Sequence, residues 1–373
     1  MNIVWMEIKK IFNWKILLVL AFVNLVLYYL LISFDISVFP NGRPALDSYR
    51  IGVEMVEEYG PHMDDAEKAD FRGRYEQEVA KADEFIQSRD DFKKAGIESY
   101  SEFKEHSGRM KEKVLFEEGI NLFWELQERE RLLEYQSNQD MIMTNQLSSA
   151  NPSMKKQLNE LKETGQFNLY TEQSLMNMEE IFRSISIVVL ISVVLVVSPL
   201  FLSDRSKRMP DLQYSTETGR RLFLEKFAAG MLSAFIVMTV LLAVYLSLYS
   251  LNDPGAFFDV PINSFIGGFY WHNLTFVQYI VLSVAAIYVL GFILAVVSMA
   301  ISNLAPNFIT LIGGHIPVVL ALLIFGLPYL LSGIVRMTLP IWLVPVLYGV
   351  LIILAAAIGR WLWVREKKLD IVL

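Results

Sequence analysis

Cysteine is absent from all 373 residues, which excludes a disulfide frame, a thiolate metal site and a thiol nucleophile. An excess of basic charge is missing as well. The chain carries 33 Lys and Arg against 40 Asp and Glu, a net charge of −7, so the electrostatic footprint of a nucleic-acid binder is not there and no nucleic-acid partner is expected. No GxxxxGK[ST] run occurs, so the chain has no phosphate-cradling P-loop, and neither HExxH nor GxSxG occurs to mark a common membrane protease. What the sequence has in quantity is apolar surface. At 54% hydrophobic and 13% aromatic residues, it is too oily for an ordinary soluble domain and unlike disordered, collagenous or coiled-coil chains.

The apolar residues are gathered into runs free of Asp, Glu, Lys and Arg. A bilayer core about 30 Å thick needs roughly 20 apolar residues in a helix. Such runs predict spans at Ile16–Phe34, Ser184–Ser203 and Phe227–Asn252. The long stretch Val260–Val335 holds no ionisable group except His272 and His315, and Asn303, Pro306 and Asn307 divide it into spans at Val277–Ile301 and Phe308–Leu330. A sixth span falls at Met337–Gly359. The first run exceeds a usual signal-peptide core and Ser33-Phe34-Asp35-Ile36 is a poor cleavage site, so a retained anchor is expected. The fold class expected is thus all-α, with six transmembrane helices.

Basic residues orient the spans. Segments 1–15, 204–226 and 360–373 carry 13 Lys and Arg together, whereas the opposite short loops, 253–276 and 333–339, carry only Arg336. Both termini and the 204–226 loop are therefore expected in the cytosol of a multi-pass cell-membrane protein. Residues 35–182 hold 31 acidic and 18 basic residues, a net −13, and belong outside. Three parts result: 1–34 with the first span, an outer helical domain at 35–182, and 183–373 with the other five spans.

The outer domain reads as helical. Leu115, Leu122, Leu126 and Leu133 recur at helical spacing, as do Tyr75, Val79, Ala82 and Ile86. Ser99-Tyr100-Ser101-Glu102 has the form of a capping box. Breaks are expected at Pro40–Pro44, Gly60-Pro61, Gly108 and Ser148–Pro152, and Thr171–Phe182 should run on into the second span. His62, in Gly60-Pro61-His62-Met63-Asp64-Asp65, falls short of a metal-ligand set and fits a turn before an acidic helix start.

Four further features bear on function. Met1–Trp14 sets Trp5, Ile8 and Phe12 against Lys9 and Lys10, the pattern of an interfacial helix whose partner is membrane lipid. Asn24 in the first span suits interhelical bonding. Gly313-Gly314-His315-Ile316-Pro317 offers two readings: a hinge or pathway lining, or close helix packing with the imidazole bonded to a carbonyl freed by Pro317. The 204–226 loop mixes both charge signs with Leu212 and Tyr214, Glu217, the Gly219-Arg220-Arg221 step, Glu225 and Lys226, a composition suited to docking. Ion-coupled transporters keep ionisable groups inside their spans, and none of Asp, Glu, Lys or Arg lies deep in these.

In that order of features the chain resembles the permease subunit of a type-2 ABC exporter: an elbow helix, six spans, and a coupling helix between the second and third. Asp204, Ser206, Leu212, Gly219-Arg220 and Lys226 stand where that family's loop carries its acidic, small, leucine, Gly-Arg and lysine positions, while Met209-Pro210 and Glu217-Thr218 depart from the pattern. The likeness covers residues 1–34 and 184–373. It implies a transport subunit that is not itself an enzyme and holds no cofactor or metal. ATP and magnesium would be bound by a separate ABC ATP-binding subunit seated on the 212–221 helix, alongside a second permease copy or a sister permease. Lys226, at the membrane edge, is expected only to snorkel toward headgroups. The alternative from another class is a membrane-anchored sensor or interaction protein working through residues 35–182, for which six spans are more than needed.

Overall fold

Six helices in the computed structural model are long and apolar enough to cross a membrane: Trp14–Leu31, Gln173–Ser206, Gly219–Asn252, Phe276–Leu304, Phe308–Ser332 and Leu343–Lys368. The chain is a multi-pass, all-helical membrane protein. The structure describes residues 3–207 and 219–368, and among them β-structure is limited to two isolated bridges. Five spans start within a few residues of their expected positions or earlier. The sixth starts six residues late, at Leu343, because Pro340 holds the preceding backbone out of the helix.

Contacts divide the chain into two units. The membrane unit comprises Met1–Ser37, Met178–Asn252 and Ile280–Leu373. Its hub is the second span, whose most apolar window is 72% buried, against 6% for the first and 11% for the fifth and sixth. Close packing explains the glycines there: a Cβ on Gly230 would lie 2.6 Å from Met299 Sδ of the fourth span, and one on Gly291 would collide with Met238 Sδ of the third. Asn24 is the polar fastening of the first span. Its Nδ2 donates to Ser192 Oγ at 2.9 Å and its Oδ1 accepts from Tyr245 Oη at 3.2 Å, joining three spans.

The second unit comprises Val38–Asn177 and, unexpectedly, Asp253–Tyr279. The sequence treats the latter as a short loop between the third and fourth spans. Its Phe257, Phe265 and Phe276 are fully buried in a chain of ring contacts 5.7 Å between centroids, and the Leu169 and Tyr170 amides both donate to the Ser264 carbonyl. These are non-local contacts that no window of either segment displays.

The helices of this unit follow the expected breaks. Gly60 ends Ala45–Tyr59 at φ +76°, a conformation that favours glycine. Asp64 and Glu67 form a complete capping box for Asp65–Gln87, so the acidic residues after His62 start a helix. At Ser99 the box is only half made: Ser99 Oγ accepts from the Glu102 amide, but Glu102 Oε2 takes the amide of Glu98 instead. The helical pattern from Leu115 to Leu133 is also interrupted. Lys113–Glu117 is a π-turn, Gly119 sits at φ +61°, and a new helix runs Asn121–Ser137. The break turns the aromatics inward, where Phe123 meets Phe103 at 4.5 Å and touches Phe85, Phe92 and Tyr100 as well.

Candidate functional site

The polar groups of the membrane unit collect where four of its spans end. Pro199 interrupts the second span after Val197, and the short helix Leu200–Ser206 continues it. The amides freed at this break are taken by one side chain of the fourth span, Ser302 Oγ, which accepts from Phe201 and Leu202 at 3.1 and 3.2 Å. That fixes the turn carrying Asp204 and Arg205. Across from it, Gly219–Arg221 makes a single 3₁₀ turn with Gly219 at φ +50°, and Leu222–Tyr249 follows as the third span.

From these two ends Lys226 Nζ donates to Asp204 Oδ2 at 2.5 Å, with side-chain exposures of only 7% and 10%. Sequence reasoning expected Lys226 to snorkel. The structure corrects this: a carboxylate 22 positions back stands within reach, and a paired ammonium no longer needs water. Arg205 donates to the backbone carbonyls of Asn303 and Ala305 at the end of the fourth span. Asn303 Oδ1 in turn accepts from Arg365 at 2.7 Å, and its Nδ2 lies 3.5 Å from Glu366 Oε2. Arg220 donates to the Lys367 carbonyl, closing the ring of contacts onto the sixth span. Asp204, Lys226, Asn303 and Glu366 are all buried. The result is a knot of ionic and hydrogen-bonded groups binding the second, third, fourth and sixth spans.

Of the docking residues expected from sequence, Gly219, Arg220, Arg221, Glu225 and Lys226 are at this knot or beside it. Arg221 is exposed and Arg220 and Glu225 are half-buried. Leu212, Tyr214 and Glu217 lie outside the described residues, as do Ser215, Thr216 and the Met209-Pro210 step. Sequence reasoning missed Arg205, Ser302, Asn303, Arg365 and Glu366. The available signal was positional: each stands near the end of a helix that begins as an apolar run, where a polar residue needs either water or a partner.

The N-terminal helix Ile3–Ile11 divides its expected lipid-facing set. Trp5 is 52% exposed and Lys9 and Lys10 are exposed, but Ile8 and Ile11 are buried and Phe12 half-buried, because this face packs on the third span. Ile8 and Phe12 therefore belong at least partly to protein packing. Asn13 joins this helix to the first span by serving both. Its Nδ2 donates to the Lys10 carbonyl, and its Oδ1 accepts from the amides of Lys15 and Ile16.

At the expected hinge, Phe308–Ala321 is one helix with Pro317 inside it. His315 Nδ1 bonds to the Leu311 carbonyl at 2.8 Å, not to the carbonyl of Gly313 that Pro317 leaves free. Gly314 lies against Ile301, where a Cβ would come within 3.0 Å, while Gly313 faces open space. The helix widens instead at Leu322–Gly326 and Pro328–Ser332, both π-helical turns. Among the described residues no group of three His, Asp or Glu side chains is placed to hold a metal ion.

No family model, curated protein or solved structure matches this chain.

Proposed function

We propose that this chain is the permease subunit of an ATP-driven exporter of the type-2 ABC kind, powered by a separate ATP-binding subunit that docks on residues 212–221 of the 204–226 loop. One observation carries the proposal. The loop is anchored near both ends, by Asp204 and Arg205 at its start and by Arg220 and Lys226 at its end, and those anchors reach four spans. A displacement applied between the anchors is delivered to the feet of the second, third, fourth and sixth spans together. A loop that merely connected two helices would need no such fastening.

In this reading the termini and the knot are cytosolic, the acidic unit is outside, and Ile3–Ile11 lies at the cytosolic interface with Trp5, Lys9 and Lys10 toward lipid. The chain supplies the pathway and the partner supplies the hydrolysis. Apolar and aromatic span surfaces suit an amphipathic drug, peptide or lipid-like cargo better than a sugar chain. A second permease, either a copy or a sister chain, completes the pathway.

The test is Arg220→Ala combined with Arg221→Ala. Membrane insertion should be unchanged, while affinity for the ATP-binding subunit falls and transport is lost. Truncating a charge desolvated at an interface costs about 2–5 kcal/mol because its partner is left unpaired. Full affinity and full transport in this double variant would make the loop an ordinary connector and leave the anchored-sensor reading in its place.

A further inference from the structure

Between the N-terminal helix, the start of the first span and the end of the second lies a cavity of about 480 Å³. Trp14, Ile16, Val196 and Leu200 contribute apolar surface to its lining. The same lining carries Lys10, Lys15 and Lys207, together with Glu7 and Asp204. Both carboxylates are already engaged, Glu7 by Lys10 at 2.6 Å and Asp204 by Lys226 at 2.5 Å. Lys15 lies over the Trp14 ring, 5.9 Å from its centroid, and among the described residues no carboxylate pairs with Lys15 or Lys207. Two ammonium groups thus remain for an anion in a cavity that apolar side chains also line.

Position decides what kind of anion. The cavity is lined by the first residues of one span and the last residues of another, the level at which aromatic and basic side chains meet lipid headgroups. A soluble anion would have no use for the apolar lining. We infer that this cavity binds one anionic phospholipid, its phosphate between Lys15 and Lys207 and its acyl chains along Ile16, Val196 and Leu200. The bound lipid would lie beside Asp204, and so beside the knot. This inference needs only the membrane unit, and it stands whatever the chain transports.

Native mass spectrometry of the purified full-length chain, offered phosphatidylglycerol and phosphatidylcholine of identical acyl chains, tests it. One phosphatidylglycerol should be retained with a preference of roughly thirtyfold, as expected for two lysines at about 1 kcal/mol each near an anionic headgroup. Lys15→Gln with Lys207→Gln should bring the two lipids to parity, and the corresponding arginine pair should restore the preference. Lys155→Gln with Lys156→Gln, exposed lysines of the other unit, should change nothing. Equal retention of both lipids by the native chain, or a preserved preference in the Lys15/Lys207 glutamine variant, would overturn the assignment. Displacement of the lipid by soluble glycerophosphate would overturn the lipid part of it and leave a plain anion site.

Discussion

The acidic unit and the membrane unit use the same ion pairs to opposite effect. In the acidic unit Arg74 reaches Glu58 and Asp70 with its own side chain 38% exposed, and Arg89 and Lys113 grip Asp91 and Glu118 at the surface. Water screens these pairs, and each contributes little. In the membrane unit Asp204 and Lys226 are nearly sealed from solvent, and their neighbours are bonded to one another. There the desolvation of each charge is offset only while its partner is present. The acidic unit therefore draws its stability from its apolar core and carries these pairs at its surface, although Asp47, Glu128 and Arg129 are buried. The membrane unit has apolar surface everywhere, so specific association of its spans falls to close packing and to a few polar contacts.

The contrast can be broken most forcefully at the core of the acidic unit. Phe123 is fully buried among four aromatic rings, and Phe123→Ala should cost about 4 kcal/mol through lost burial and the cavity left behind. Thermal unfolding followed by near-ultraviolet circular dichroism would register it, and a loss under about 1 kcal/mol would mean that this core is not what holds the unit.

Next in size is Lys226→Ala, expected to destabilise the membrane unit by about 3 kcal/mol because Asp204 is left charged and buried. Pairing it with Asp204→Asn should recover most of that loss in detergent-denaturation midpoints. No recovery in the double variant would show that Lys226 acts through something other than this pair.

The smallest effect sharpens the comparison from the surface side. Hydrogen bonds from Arg89, and then from Lys113, hold the Asp91 carboxyl below the usual carboxylate range, and Arg89 likewise lowers Glu118. A carboxyl with a lower pKa folded than unfolded adds stability above its unfolded value of about 4, and that stability fades as pH falls toward the folded value. Burial raises Asp47, Glu125 and Glu128 instead, so acid relieves a strain at those groups. Asp91→Asn with Glu118→Gln should accordingly lower stability slightly at neutral pH and flatten the loss below about pH 4, so that the two profiles converge in acid. An unaltered acid limb would mean that the surface clamp contributes nothing.

Legibility followed the range of the interactions. The spans were readable because length without charge is a local property, and Gly60 and Asn151-Pro152 were readable as helix boundaries for the same reason. The interruption at Gly119 was hidden by leucines that kept helical spacing across it. Half of the candidate site was also visible: the Gly219-Arg220-Arg221 step and Lys226 stand out against the apolar run they precede. Arg205, Asn303 and Glu366 did not, since a polar residue in the flank of a span looks the same whether it meets water or a buried partner.

By itself the sequence determined that this chain has six runs long and apolar enough to cross a membrane, that an acidic helical body interrupts them, and that it contains no P-loop motif. Those follow from composition and from runs of like residues, which any fold of the chain must respect. Only the tertiary structure decided that Asp253–Tyr279 joins the acidic unit, that Ile8 and Ile11 face protein, and that Lys226 finds Asp204. The physical reason is common to all three. Whether an apolar or charged side chain is satisfied depends on what stands opposite it, and the partners here come from segments far away in the chain.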